Sequence, residues 1–405
     1  MPQTTADQEL VRKVNKSIIL NTLRLHAPIS RADLAVRTGL NRSTISNIIN
    51  SLIEEGLVHE TELQDSKVGR PAISLMLKPE GGAVIGVEIG VGFISLILTD
   101  FVANPLWRER IEIESTLPQL EILSEAERMI DRAMRMIAER GLRPLGIGVG
   151  LPGLVDIQQG ELIFAPNLRW EHVPFRLMWN QRFRLPIYTE NEGNAAALGE
   201  YYFGAARGAD NMVYLSSGIG LGGGVIIRGK LFRGNNGFAS EIGHMMMDPR
   251  GELCGCGRRG CWETQVSPRA VMRRVRQSVM MAPNSLVHSL TGGDLAHLKF
   301  QTVVEAARAG DPVCMQSLED VAVNLGLGIA NLVNIFNPEL VVIGGALSLG
   351  QDLLMPVVEK TVFREALGPV VRKLRIVPSG HGADACVVGA VAMVLDDILR
   401  EMEVI

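Results

Sequence analysis

Between Val11 and Ile53 the chain carries seven basic residues, Arg12, Lys13, Lys16, Arg24, Arg31, Arg37 and Arg42, against one acid, Asp33. That is a local charge of +6 in a chain whose net charge is −4, so the remainder carries −10. A basic module joined to an acidic body is a two-part molecule, and its 405 residues accommodate two or three domains. The balance excludes a basic coat protein and confines any nucleic-acid contact to the N-terminal patch. Hydrophobic residues at 47% and charged residues at 21% exclude wholesale disorder.

The spacing inside the basic module predicts three helices. The first covers Gln8–Leu25, with apolar Val11, Val14, Ile18 and Leu23, and ends before Pro28. Ser30 caps a short second helix, Asp33 sits at its third position, and Gly39 closes it. Asn41 opens a third helix through Glu55, where Ile45, Ile48, Ile49, Leu52 and Ile53 recur at helical spacing. Two short helices joined by a glycine turn form a helix-turn-helix. The second of them begins with Asn41, Arg42, Ser43, Thr44, Ser46 and Asn47, hydrogen-bonding side chains at the end that enters a major groove. Strands over 57–63 and 73–77 then form a hairpin, a wing. Gly69-Arg70-Pro71 at its tip suits a narrow minor groove, and Lys67 suits a phosphate, although an ordinary hairpin turn has the same outline. The winged module spans residues 1–80, mainly α with a β wing.

After Lys78-Pro79-Glu80-Gly81-Gly82 the composition changes to glycine-rich apolar strands alternating with helices. Strands are expected at 83–91, 93–99, 145–149, 211–216, 223–227 and 340–343. Helices are expected at 120–140, 192–202, 268–281, 303–309 and 311–335. Two α/β lobes, each opening with a glycine turn, imply an internal duplication and a cleft between lobes. The lobes are expected over about 81–190 with the C-terminal helix, and 191–390. The glycine loop Ser217–Gly224 offers backbone N–H groups that suit phosphate, although such loops also serve as plain turns. The uncharged run Val321–Pro338 is interrupted by asparagines and reads as a buried helix, not a membrane span. The N-terminus has no apolar signal core, which points to a cytoplasmic protein without membrane contact.

Three of the five cysteines lie within eight residues. His244 with Cys254, Cys256 and Cys261 makes a closed set of one imidazole and three thiolates, the structural zinc type with no open position for water. Soft sulfur ligands in a reducing compartment favour one structural Zn2+ per chain, in a loop at 244–261. The loop is tied to Glu241-Ile242-Gly243-His244, so the metal shapes a segment that also carries a carboxylate.

These motifs resemble the ROK family of repressors and sugar kinases. The resemblance rests on Glu241–His244 with the cysteine loop, Gly150–Asp156, Asn191–Ala197, Asn334–Pro338 and the glycine loop. It covers the whole chain and is nearest the xylose-repressor branch, through Glu190-Asn191-Glu192 and Gly260-Cys261-Trp262-Glu263. It implies an actin-like, hexokinase-like pair of lobes and a monosaccharide effector, xylose or a glucose-like sugar. Asn167, Asn191, Glu192, Glu241, His244 and Glu263 would be its ligands, as directional partners for hydroxyls. It also implies operator DNA bound as an inverted repeat by a homodimer or homotetramer.

Kinases of the family open with Asp-x-Gly-Gly-Thr, where this chain has Glu88-Ile89-Gly90-Val91-Gly92. The base position, Asp in the kinases, is Glu192. Both changes displace a carboxylate by a methylene, and a misplacement of about 1 Å can cost on the order of 100-fold in rate. The resemblance therefore implies a sugar-responsive repressor without catalytic residues. A sugar kinase carrying a DNA-binding arm is the alternative, because Ser217 and Gly344-Gly345 keep part of a nucleotide site. The sugar is an inducer or a co-repressor.

Overall fold

The computed structural model describes residues 8–62, 73–114 and 116–400. Lys67 and Arg70, and the wing tip they were expected to form, lie outside these residues. The three N-terminal helices are Gln8–His26, Arg31–Thr38 and Arg42–Glu54. Their ends follow the expected caps. Ser30 Oγ accepts the Asp33 N–H at 3.1 Å, and Gly39 takes a left-handed φ of 71° and closes the second helix. Asn41 Oδ1 accepts the Thr44 N–H at 2.8 Å and so caps the third helix. Ile45, Ile48, Ile49 and Leu52 form its buried stripe. Strands Val58–Glu62 and Ile73–Leu77 pair antiparallel, and Ile29–Ser30 adds to the second of them.

The body holds two five-stranded sheets of the same topology. In the first, Ala83–Gly90, Phe93–Asp100 and Pro105–Glu112 run antiparallel, while Pro144–Leu151 and Ile187–Asn191 extend the sheet in parallel on its other side. In the second, Met212–Ser217, Leu221–Ile227 and Lys230–Leu231 are the antiparallel part, and Leu340–Gly345 and Arg375–Pro378 the parallel part. This repetition is the duplication that the glycine turns implied.

Several elements were not expected. Pro105–Glu112 is an edge strand of alternating charge, Arg108-Glu109-Arg110 among its residues, and its hydropathy is too low to mark it as a strand. The helices Phe175–Phe183 and Gln351–Glu365 were also unmarked, the latter containing Pro356.

Helix Ala385–Arg400 organises the molecule. It packs on helix Glu192–Phe203, on strands Ala83–Gly90 and Pro144–Leu151, and on the first helix of the DNA-binding module. Its approach to Glu192–Phe203 is so close that a Cβ on Gly389 would lie 1.7 Å from the Ala195 carbonyl oxygen. Ile19, Leu20 and Leu23 of the module share one core with Phe101, Val391, Leu395 and Leu399 of the body. The module is therefore packed onto the body as well as joined to it through the chain. Pro312–Phe336 is, among the described residues, the one helix long and apolar enough to cross a bilayer. Its Leu318, Val321, Leu325, Ile329 and Val333 are instead buried in the core of the second lobe.

Candidate functional site

Strand Ile187–Asn191 of the first sheet ends where helix Glu192–Phe203 begins, and Asn191 makes the junction. Its Oδ1 accepts the Gly193 N–H at 2.8 Å and the Asn194 N–H at 3.3 Å, and its Nδ2 donates to the Gly153 carbonyl at 2.9 Å. The helix start presses on the second sheet, since a Cβ at Gly193 would come within 2.7 Å of the Gly223 backbone. Only glycine lets the two lobes meet so closely, and that meeting fixes Glu192 between them.

Glu190 and Arg233 brace the same junction, and nothing in the spacing of the sequence marked Arg233. The buried Glu190 accepts from the Asn191 N–H and Asn194 Nδ2, both at 3.1 Å, and pairs with Arg233 Nε at 2.9 Å. Arg233 follows strand Lys230–Leu231, so this ion pair spans the two lobes. The motif Glu190-Asn191-Glu192 signals the first partner, but the second lies 43 residues away.

Glu241 and His244 come from the short 3-10 turn beside strand Leu221–Ile227, and Glu263 opens the turn of helix after the cysteine loop. His244 Nε2 lies 3.9 Å from Glu241, and His244 Nδ1 lies 3.8 Å from Glu263. The Glu263 carboxylate covers the glycine loop, where a Cβ on Gly220 would meet its Oε2 at 2.2 Å. Asn167 is exposed on the turn 166–169 after strand Glu161–Ala165.

A line of carboxyl groups runs through this region, each raising the next. Burial pushes Glu88 up to about 8, with the charge of Glu192 adding and Arg110 opposing. Glu88 Oε2 is buried with no hydrogen-bond partner. Burial and then the charge of Glu241 lift Glu192 to about 7. Glu241 is raised too, mainly by loss of water, with His244 pulling the other way and Glu263 adding repulsion. The buried Glu88 is costly to keep from water, whereas Glu241 at the other end of the line is exposed, where a ligand with several hydrogen-bond donors can reach it.

The four predicted metal ligands are brought together. One ring nitrogen of His244 and the sulfurs of Cys254, Cys256 and Cys261 lie within 4.8 Å of one another. Cys254 Sγ is 3.6 Å from His244 Nδ1, and Cys256 Sγ is 3.6 Å from Cys261 Sγ. A tetrahedron with metal–sulfur bonds of about 2.3 Å has edges of about 3.8 Å, so the cluster can hold a metal ion. The loop closes through Gly257 and Gly260, both at positive φ. Trp262 anchors it: the ring is fully buried, and its Nε1 donates to the Asn324 carbonyl at 2.9 Å. Because Nδ1 faces the sulfurs, Nε2 remains on the Glu241 side of the ring.

In the DNA-binding module Asn41, Arg42, Ser43 and Asn47 are exposed, while Thr44 and Ser46 are half-buried on the same helix. The Asn41 oxygen is committed to the cap and also accepts from Ser43 Oγ at 2.7 Å, which leaves its amide N–H groups to reach outward. Arg31 pairs with Glu60 at 2.8 Å and joins the second helix to the wing.

A winged helix-turn-helix docked on a two-lobed, hexokinase-like body with a polar inter-lobe site defines a regulator built on a sugar-kinase scaffold. Residues 84–397 match the ROK family, and residues 13–67 match the MarR family. The chain belongs to the ROK family. It is 35% identical to the xylose repressor of Caldicellulosiruptor bescii, over 96% of this chain and 97% of that one. The crystal structure of a ROK family transcriptional regulator homologous to the E. coli MLC protein superimposes with a TM-score of 0.84 at 28% identity, covering 97% of this chain and 98% of that one. The ROK family glucokinase from Streptomyces griseus, in complex with glucose and AMPPNP, gives a TM-score of 0.69 at 36% identity and covers 77% of this chain and 99% of its own. The kinase thus matches the body, and the regulator matches body and DNA-binding module together.

Proposed function

We propose that this protein is a sugar-responsive transcriptional repressor in which a monosaccharide between the lobes changes the affinity of the winged module for an operator. The observation that carries this reading is one helix, Glu192–Phe203. It begins at Asn191 and Glu192 in the polar site. Its last turn carries Tyr202, whose ring lies 4.2 Å under the guanidinium of Arg24 in the first helix of the module. A ligand that moves the start of this helix acts directly on the module.

In this reading Asn191, Glu192, Glu241, His244 and Glu263 take the sugar hydroxyls, and Asn167 reaches the sugar from its turn. Xylose is the first candidate, by the name of the Caldicellulosiruptor relative, and a glucose-like aldose uses the same polar set. Zinc is the metal for His244, Cys254, Cys256 and Cys261, because three thiolates and an imidazole form its closed structural set. Its part is structural: it holds the loop between Glu241 and Glu263. Reduced protein purified without chelators should contain one zinc per chain by metal analysis, and a metal-free, folded preparation would refute the assignment.

Asn41, Arg42, Ser43, Thr44, Ser46 and Asn47 read the major groove, while Lys67 and Arg70 serve the wing. Residues 1–80 form this module, and 81–405 form the sugar-binding body. Operator binding as an inverted repeat requires a homodimer or homotetramer. The exposed Ile335, Phe363 and Leu367 on neighbouring elements of the second lobe supply an apolar surface for it. The protein acts in the cytoplasm.

No catalysis is assigned to this site. Glu88 stands where the kinases have Asp, and with its carboxyl held up to about 8 it is mostly neutral at pH 7, a poor ligand for Mg2+. One observation favours the kinase reading: Ser217 Oγ, beside the glycine loop, is buried with no hydrogen-bond partner. Two assays decide. Operator binding titrated with xylose, glucose and an N-acetylated sugar should show release or tightening with one of them. ATP-dependent phosphorylation of the same sugars should be undetectable, and turnover would reinstate the kinase.

A further inference from the structure

A cavity of about 750 Å³ lies at the junction of the DNA-binding module and the body, away from the polar site. Elements of both the module and the body line it. Leu23 and Arg24 come from the first helix, His59 and Met76 from the wing strands, Tyr202 from the helix that starts at the polar site, and Leu399 from the crossing helix. Its size falls within the roughly 300–1,000 Å³ of small-molecule sites, and so does its mix of apolar walls with a few polar groups.

The charged groups are mostly of one sign. Arg24, Lys78 and Arg207 line the cavity, and Glu80 is the one acid there among the described residues. Neither Lys78 nor Arg207 has a carboxylate partner among the described residues. His59 Nδ1 is buried with no hydrogen-bond partner. Phe101, Phe203 and Leu395 add apolar wall between these groups. Water alone in this space would lie mostly against hydrocarbon. An apolar body carrying one negative group meets both the walls and the cations.

We propose that this junction cavity is a second effector site for a small amphipathic monocarboxylate, with its chain or ring against the apolar walls and its carboxylate toward Arg207 and Lys78. The occupant touches the module and the body at once, so it changes how tightly one sits on the other. Ligands that contact two packed elements bias their arrangement only through such differential contact. Binding at the cavity does not depend on the sugar reading.

Octanoate is the probe, with octan-1-ol as its uncharged counterpart, titrated calorimetrically into the full-length protein. Octanoate should bind one per chain, at least tenfold more tightly than the alcohol. Lys78→Glu with Arg207→Glu should weaken octanoate at least tenfold and leave the alcohol unchanged; both side chains reach solvent, so the fold should survive. Met76→Trp, which fills the cavity, should abolish both. Saturating octanoate should change operator affinity at least threefold in the wild type and not in Met76→Trp. Equal binding of acid and alcohol, no binding, or undiminished octanoate binding in the charge-reversal variant would overturn the site. Octanoate binding that leaves operator affinity within twofold would overturn its role as an effector. Sugar titrations on the same preparation keep the two readings apart, since a protein that ignores every sugar and still takes octanoate refutes the first and supports the second.

Discussion

Glu192 sits at the first turn of its helix, and burial with the charge of Glu241 raises its carboxyl from an ordinary 4.5 to about 7. The carboxylate is the stronger hydroxyl acceptor, so sugar affinity should rise as pH goes from 6 to 8 and Glu192 loses its proton. For stability the sign is opposite. Between 4.5 and about 7 the unfolded chain has already released this proton and the folded one retains it, so the group's contribution falls as pH rises through that window. Calorimetric titrations across the range check the first effect, with Glu192→Gln as control. If the rise survives in that variant, it belongs to another group such as Glu88. Glu241 makes a simpler case. In the proposed site its carboxylate accepts two hydroxyl protons, and Glu241→Gln turns one acceptor into a donor. Losing a charged hydrogen bond costs about 1.5–3 kcal/mol, so sugar affinity should fall at least tenfold. Operator binding should stay intact, because residue 241 belongs to the second lobe and the groove-reading helix does not. A variant that still responds at the wild-type sugar concentration removes Glu241 from the ligand set. Loss of operator binding itself would mean that Glu241 supports the fold through its neighbour His244.

At the scale of elements, the helix Glu192–Phe203 is the connection to test. At its far end the buried Tyr202 hydroxyl donates to Asp396 of the crossing helix, and the Arg24 guanidinium stacks on its ring and donates to its carbonyl at 3.4 Å. Asn21 Nδ2 reaches the Leu399 carbonyl at 3.2 Å beside it. Arg24→Met keeps the alkyl stem and removes the charge, so packing should hold while coupling weakens. Coupling energies of about 1–3 kcal/mol correspond to roughly 5- to 150-fold shifts. In Arg24→Met the sugar-induced change in operator affinity should fall below about twofold, with sugar affinity unchanged. A full response in this variant would route the signal elsewhere. None of this connection could be read from the chain, because Arg24 and Tyr202 are 178 residues apart and neither belongs to a motif. What could be read is what local spacing decides. Ser30, Gly39 and Asn41 mark the helix ends by capping chemistry alone, and the cysteine loop keeps three ligands within eight residues. The crossing helix Ala385–Arg400 lies at the other extreme. Its residues 385–395 are all buried, so the apolar run does not mark which neighbour each one serves. Glu190 was visible in its motif, but its purpose needed Arg233 from the other lobe.

For the whole molecule, the two sheets of like topology place the polar site at the ends of strands from both lobes, and the shared core fixes the module to the first lobe and the crossing helix. In the proposed response the signal passes through the angle between the lobes, which Glu190 and Arg233 brace across the site. In a two-fold oligomer that angle sets the distance between two recognition helices, and operator half-sites tolerate only helical-turn spacings. Sugar that favours a mismatched spacing releases the DNA, and sugar that favours the matching one retains it. Either sign carries the same thermodynamic requirement. If sugar changes operator affinity by some factor, operator must change sugar affinity by that factor, since both report one coupling free energy. Sugar titrated into the free protein and into the protein saturated with operator should therefore give dissociation constants that differ by the ratio seen in the DNA-binding assay. The salt concentration must be held fixed, because the phosphate contacts of the module make every operator constant salt-dependent. Equal sugar affinities with and without operator, in a protein that binds both, would show that the two sites do not communicate, and the inter-lobe angle would lose its part in regulation.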